Sequence, residues 1–77
     1  MAEPYRLDLR GLRCPMPVLR VEAIARRLGA GAQLLVFTDD PLARVDIPHA
    51  MRQAGHSCAE SPETDEKVCV FEVTLAG

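Results

Sequence analysis

Residues 5–29 read YRLDLRGLRCPMPVLRVEAIARRLG, and a change of hydrophobic period inside this stretch sets the fold. Its first five residues alternate: Tyr5, Leu7 and Leu9 are apolar while Arg6 and Asp8 are charged, the period of a half-buried strand. Gly11 ends that run. Beyond Pro15 and Pro17, apolar Val18, Val21, Ile24, Ala25 and Leu28 recur every three or four residues. They fall on one helical stripe and leave Arg20, Arg26 and Arg27 outside it. Glu22 stands four residues ahead of Arg26, a favourable surface pair, and Gly29 supplies the left-handed residue that commonly stops a helix. The spacing predicts a strand over 5–9 and a helix over 15–28, with Cys14 at the junction.

Further along, Gln33 to Thr38 is short, β-branched or bulky, and nearly continuously apolar, as a central strand with a parallel neighbour is. Asp39, Asp40 and Pro41 close it with turn chemistry. Pro48 cannot sit deep inside a helix without removing a hydrogen bond. The second helix is therefore expected to take Asp46 as its N-cap and to carry Ile47, Ala50, Met51 and Ala54 on one face. Gly55 ends it, and residues 41–45 are left as a loop or irregular turn. Ser57 to Glu60 reads as a short strand and Ser61 to Glu66 as a polar connection. Val68 to Leu75 is a strand with Cys69, Phe71, Val73 and Leu75 on one face and Val68, Val70, Glu72 and Thr74 on the other. The order β-α-β-α-β-β predicts an α/β two-layer sandwich: a mixed four-stranded sheet with two helices on one face, built from two right-handed parallel crossovers and a hairpin-like pair. A single domain is expected over residues 1–77.

The chain has 77 residues, of which 48% are hydrophobic and 26% charged, and its aromatic residues are Tyr5, Phe37 and Phe71. That is the composition of an ordinary globular domain rather than a disordered or disulfide-dense one. Apolar runs such as Leu34 to Phe37 fall far short of the ~20 residues of a membrane helix or the ~7 to 15 of a signal peptide. A cytoplasmic monomer with no membrane insertion is the expectation. The net charge of −2 is uneven: residues 1–38 hold six basic and three acidic side chains, residues 39–77 three basic and eight acidic. Two electrostatic faces of this kind orient protein partners. The basic surface with interleaved aromatics that direct nucleic-acid binders carry is missing, so no direct nucleic-acid contact is expected.

The cysteines, Cys14, Cys58 and Cys69, are odd in number and form no Cys-x-x-Cys pair. With His49 and His56 they complete no familiar metal-ligand spacing, so no metal is expected. Cys58 and Cys69 sit in strand-like runs, where a small buried hydrophobe is the common role. Cys14 differs, because strand-to-helix junctions of α/β sheets are where chemistry gathers. With Pro15 at the first helical position, Cys14 is expected as the cap residue, beside free N–H groups and the positive end of the helix dipole. Those features and the neighbouring Arg13 all favour a thiolate. Pro15 and Pro17 stiffen the helix start. No second cysteine and no base of the cysteine-protease kind stands beside Cys14, which suits a thiol that receives a group covalently and hands it to another protein. Cys14 and Arg20 also satisfy the Cys-x5-Arg spacing of tyrosine-phosphatase loops. That loop needs consecutive N–H groups around a phosphate, and Pro15 and Pro17 delete two of them.

The segment Gly11-Leu12-Arg13-Cys14-Pro15-Met16-Pro17, preceded by Leu7-Asp8 and followed in order by Asp39-Asp40-Pro41, Asp46-Ile47-Pro48 and Gly55-His56, resembles the TusA/SirA sulfur-carrier family over the whole chain. The resemblance implies the two-layer α/β fold already read from the periods. It also implies that Cys14 accepts sulfane sulfur as a persulfide, with no cofactor beyond that covalent sulfur. The donor would be a cysteine desulfurase or a rhodanese, and the acceptor a downstream relay protein. Destinations in such families include 2-thiolation of the tRNA wobble uridine, oxidation of reduced sulfur compounds, molybdenum-cofactor sulfur supply and thiosulfate uptake. Met16 replaces an acidic residue that some members carry between the prolines, and the lysine often found at the C-terminus is missing. Arg10, Arg13 and Arg20 could steer an acidic donor surface, and Asp39 and Asp40 are candidates for either partner recognition or turn formation and helix capping. Two other readings stay open: a non-catalytic interaction or regulatory module that docks through its charged faces, and thiol redox chemistry.

Overall fold

The computed structural model describes residues 3–76. It contains β1 (Tyr5–Asp8), α1 (Met16–Leu28), β2 (Gln33–Thr38), α2 (Pro41–Gln53), β3 (Ser57–Glu60) and β4 (Cys69–Thr74), the order expected from the periods. The strands form one sheet in the spatial order β1-β2-β4-β3. β1 runs parallel to β2, whereas β4 is antiparallel to both of its neighbours. The last strand of the chain thus enters the middle of the sheet and separates β2 from β3.

The alternation along each strand selects the face that is covered. On β2, Leu34, Val36 and Thr38 are buried, and their β4 partners Val73, Phe71 and Cys69 are buried with them. They meet Val21 of α1 and Ala43, Ile47 and Met51 of α2 in a single core, in which both helices cover the same side of the sheet. Each fully buried aliphatic side chain contributes about 1.5–3 kcal/mol through its removal from water. Val70 breaks the pattern: it belongs to the second face yet is only 2% exposed. The connection between β3 and β4 is fastened to its backbone, with the Ser61 N–H donating to the Val70 carbonyl and the Thr64 hydroxyl accepting from the Val70 N–H.

The second helix departs from the expectation that it starts at Asp46. It begins at Pro41, with Asp40 at the N-cap position, and carries Pro48 in its interior. Two effects compete here. Pro48 removes one intrahelical hydrogen bond, to the carbonyl of Arg44, but Pro41 already has the φ of a first helical residue. A helix begun at Pro41 also places Ala43, Ile47 and Met51 in line on the core side, all buried. Burial of that stripe outweighs the missing bond. Gly55, at φ +88°, then turns the chain out of the helix in a conformation that side chains with a Cβ rarely adopt.

Candidate functional site

Cys14 lies on the loop that leads from β1 into α1. The pairing of β1 and β2 continues one residue past the strand, through the Leu9 N–H and the Phe37 carbonyl at 2.7 Å. Leu9 is buried, and the chain then turns at Arg10 and Gly11. What holds the loop comes from the other side of the sheet's carboxyl end. Asp39 accepts hydrogen bonds from the Gly11 N–H and the Arg13 guanidinium, both at 3.0 Å. Asp40, only 4% exposed, accepts from the Cys14 N–H at 2.9 Å. Although Asp40 occupies the N-cap position of α2, its side chain caps nothing there and is spent on the loop across from it. Gly11 first, and then Arg13, hold the Asp39 carboxyl below the usual carboxylate range.

The sulfur itself is exposed, and its polar neighbour is Asp46, whose carboxylate Oδ2 lies 3.5 Å from Sγ. This arrangement works against the thiolate expected from the sequence. Incomplete hydration of the sulfur, the hydrogen bond to Asp46, and the negative charges of Asp46 and Asp40 all push the Cys14 thiol above its ordinary value. The groups expected to stabilise an anion are otherwise engaged. Arg13 is committed to Asp39 and to the Leu12 carbonyl. The Cys14 N–H is taken by Asp40, and the N-cap of α1 is Pro15 rather than Cys14, so the sulfur stands one residue further from the dipole than expected. In this arrangement the Cys14 thiol donates to Asp46.

Of the other residues named from the sequence, Pro15 is exposed at the helix cap and Pro17 is buried in the first turn; the Cys14–Pro15 peptide bond is cis. Arg10 is engaged in a two-point pair with Asp8, with distances of 2.9 and 2.7 Å, which holds the Asp8 carboxyl at about 2. Arg20 is exposed on α1 and has no ion pair among the described residues. Cys58 and Cys69 are buried in the sheet, and burial pushes both thiols up. His56 accepts the Ala76 N–H at its Nδ1, and His49 is exposed. Among the described residues no group of three or more His, Cys, Asp or Glu could hold a metal ion, and no helix is long and apolar enough to cross a membrane. Asp46 is the residue that sequence reasoning misplaced: taken as a helix cap, it stands in the second turn of α2 and touches the sulfur. Reading Pro41 as the first helical residue is the signal that would have placed it there.

A family model described as Sulfurtransferase TusA matches residues 5–74. The chain belongs to the TusA family. Its fold has a counterpart among solved structures in the SirA-like protein from Desulfitobacterium hafniense, with a TM-score of 0.82 and 24% sequence identity over 95% of this chain and 99% of that one. Membership supports a general role in sulfur carriage or sulfurtransfer, performed in relay with other proteins. Of the three cysteines, Cys14 is exposed and Cys58 and Cys69 are buried.

Proposed function

We propose that the protein is a sulfur carrier that accepts sulfane sulfur on Cys14 as a persulfide and passes it to a downstream relay protein. The observation that carries this reading is the placement of one exposed thiol on a loop fastened by Asp39 and Asp40, while Cys58 and Cys69 are buried. The acceptor atom is thereby accessible to a partner's active site and held in place without a second cysteine to trap the cargo as a disulfide. The donor is a cysteine desulfurase or a rhodanese, and the cargo goes to tRNA 2-thiouridine synthesis or to dissimilatory sulfur metabolism in the cytoplasm. The exposed Arg20, which has no ion pair among the described residues, meets an acidic part of the donor surface, and no cofactor is needed beyond the covalent sulfur.

The test is incubation with a cysteine desulfurase and cysteine, followed by intact and peptide mass spectrometry. One added sulfur on the Cys14 peptide, lost in Cys14→Ala, is the expected result. Sulfur mapped to Cys58 or Cys69, or retained by the variant, overturns the reading. Full activity of Cys14→Ser in cells would favour an interaction module that uses no covalent step.

A further inference from the structure

Asp46 differs from the other carboxylates near the thiol. Asp8 is paired with Arg10 and Asp39 with Arg13, and Asp40 is buried and occupied by the Cys14 N–H. Asp46 has no cationic partner among the described residues, and its one hydrogen bond is to Sγ of Cys14. Exposed apolar side chains stand near it along the chain. Met16 lies two residues beyond Cys14, Leu42 one helical turn before Asp46 and Val45 directly before it, and all three are exposed. An unpaired carboxylate thus stands beside a reactive sulfur, near exposed apolar side chains and with no cation in salt-bridge reach of it among the described residues.

Both halves of a carrier's cycle require negative charge on Sγ. In loading, the Cys14 thiol loses its proton to solvent and Sγ attacks the outer sulfur of the donor persulfide. A new S–S bond forms, the donor's S–S bond breaks, and its electron pair leaves with the donor thiolate. In unloading, an acceptor thiolate attacks the outer sulfur, the bond to Sγ breaks, and Sγ departs as a thiolate that then takes a proton. The outer sulfur moves as a neutral atom, so neither step needs an oxidant or a reductant. A thiol held in its neutral form is a slow nucleophile, and a sulfur whose anion is disfavoured is a slow leaving group. The outer sulfur stands one S–S bond, about 2 Å, beyond Sγ, so the carboxylate bears on the carrier's own sulfur more than on the cargo.

We propose that Asp46 is an electrostatic latch on Cys14, released when a partner protein seats a lysine or arginine, presented on an apolar loop, against the Asp46 carboxylate. This rests on the persulfide-carrier reading and adds the chemistry of the partner: a cationic tip that enters the acidic surroundings of the thiol. Free in solution the carrier neither picks up electrophiles nor gives its sulfur to small thiols readily. In the docked complex the paired Asp46 no longer opposes the thiolate, and sulfur moves.

The test has two arms and uses the full chain, with Asp46→Asn as the near-isosteric variant and Glu72→Gln, on the far face of the sheet, as the control for net charge. A thermal melt confirms that each variant is folded. In the first arm the unloaded proteins react with iodoacetamide at neutral pH and the Cys14 peptide is quantified. Asp46→Asn is expected to react faster than the parent protein, and Glu72→Gln at the parent's rate. In the second arm the proteins are loaded with sodium polysulfide and unloaded by cysteamine or by 3-mercaptopropionate, which differ in the charge they bring to the site. The rate ratio, cysteamine over 3-mercaptopropionate, should be larger in the parent than in Asp46→Asn by about 1.5- to 5-fold, the factor that an exposed ion pair supplies. Comparison of ratios cancels the intrinsic reactivities of the two thiols. Equal alkylation of parent and Asp46→Asn, or equal rate ratios, overturns the latch. Polysulfide sulfur retained by Cys14→Ser would instead overturn the carrier reading, and the alkylation arm, which needs no cargo, would still decide the latch.

Discussion

Replacement of Asp40 tests how the loop that carries the thiol is held. Its carboxylate accepts the Cys14 N–H at 2.9 Å from a position only 4% exposed, so the bond is charge-assisted and shielded from water on the acceptor side. Hydrogen bonds to charged groups contribute about 1.5–3 kcal/mol. Cys14 itself is exposed, so water can take over the N–H once the carboxylate is gone. Removal of a buried charge also relieves some desolvation cost. Both considerations select the lower end, and Asp40→Ala should lose about 1.5 kcal/mol. At about 4–8 °C per kcal/mol for a domain of this size, the melting midpoint falls by about 6–12 °C. Asp40→Asn keeps an acceptor oxygen and should fall between the two. Urea unfolding with an unchanged slope measures the energies, and hydrogen exchange at the Cys14 amide reports the bond itself. An alanine variant within about 0.5 kcal/mol of the parent protein, a change no larger than an ordinary surface substitution produces, with the Cys14 amide exchanging no faster, would refute the tether.

Two further outcomes follow from the same interactions. Ile47 is fully buried on the stripe that holds α2 in place despite Pro48, so Ile47→Ala should cost about 2–5 kcal/mol in urea unfolding; a loss under 1 kcal/mol would show that the stripe does not carry the helix. The Asp39 carboxyl is depressed in the folded protein, so its contribution to stability is complete above the unfolded carboxylate range near ~4 and is lost as pH falls through the lower folded value. A stability profile taken downward from pH 6 should therefore drop on the acid side less steeply in Asp39→Asn than in the parent, and identical profiles would contradict the pairing with Gly11 and Arg13.

The sheet and the first helix were legible because each rests on a local period: alternation in residues 5–9, 33–38 and 68–75, and a three-to-four spacing from Val18 to Leu28. The second helix was not, because two prolines pull in opposite directions. Pro48 as a breaker is a local rule, whereas the burial that overrides it depends on Ala43, Ile47 and Met51 meeting a sheet still undefined at that stage. The charges that act on Cys14 were hidden for a related reason. Arg13 and the helix dipole are neighbours in sequence, but the groups that occupy Arg13 and the Cys14 N–H are Asp39 and Asp40, each 26 residues away, and Asp46, which touches the sulfur, is 32 away. Local adjacency shows which charges are present; only the folded chain shows which of them are already spent.

The central position of β4 makes the whole sheet depend on one strand. β3 has no neighbour except β4, and β2 has only β1 until β4 arrives. A chain in which residues 69–74 are unpaired therefore bares the facing edges of β2 and β3, the kind of surface on which chains stick to one another. β4 is thus the one strand that ties the β1-β2 pair, whose ends carry the thiol's platform, to β3, and the sheet is whole only while both edges of β4 are paired.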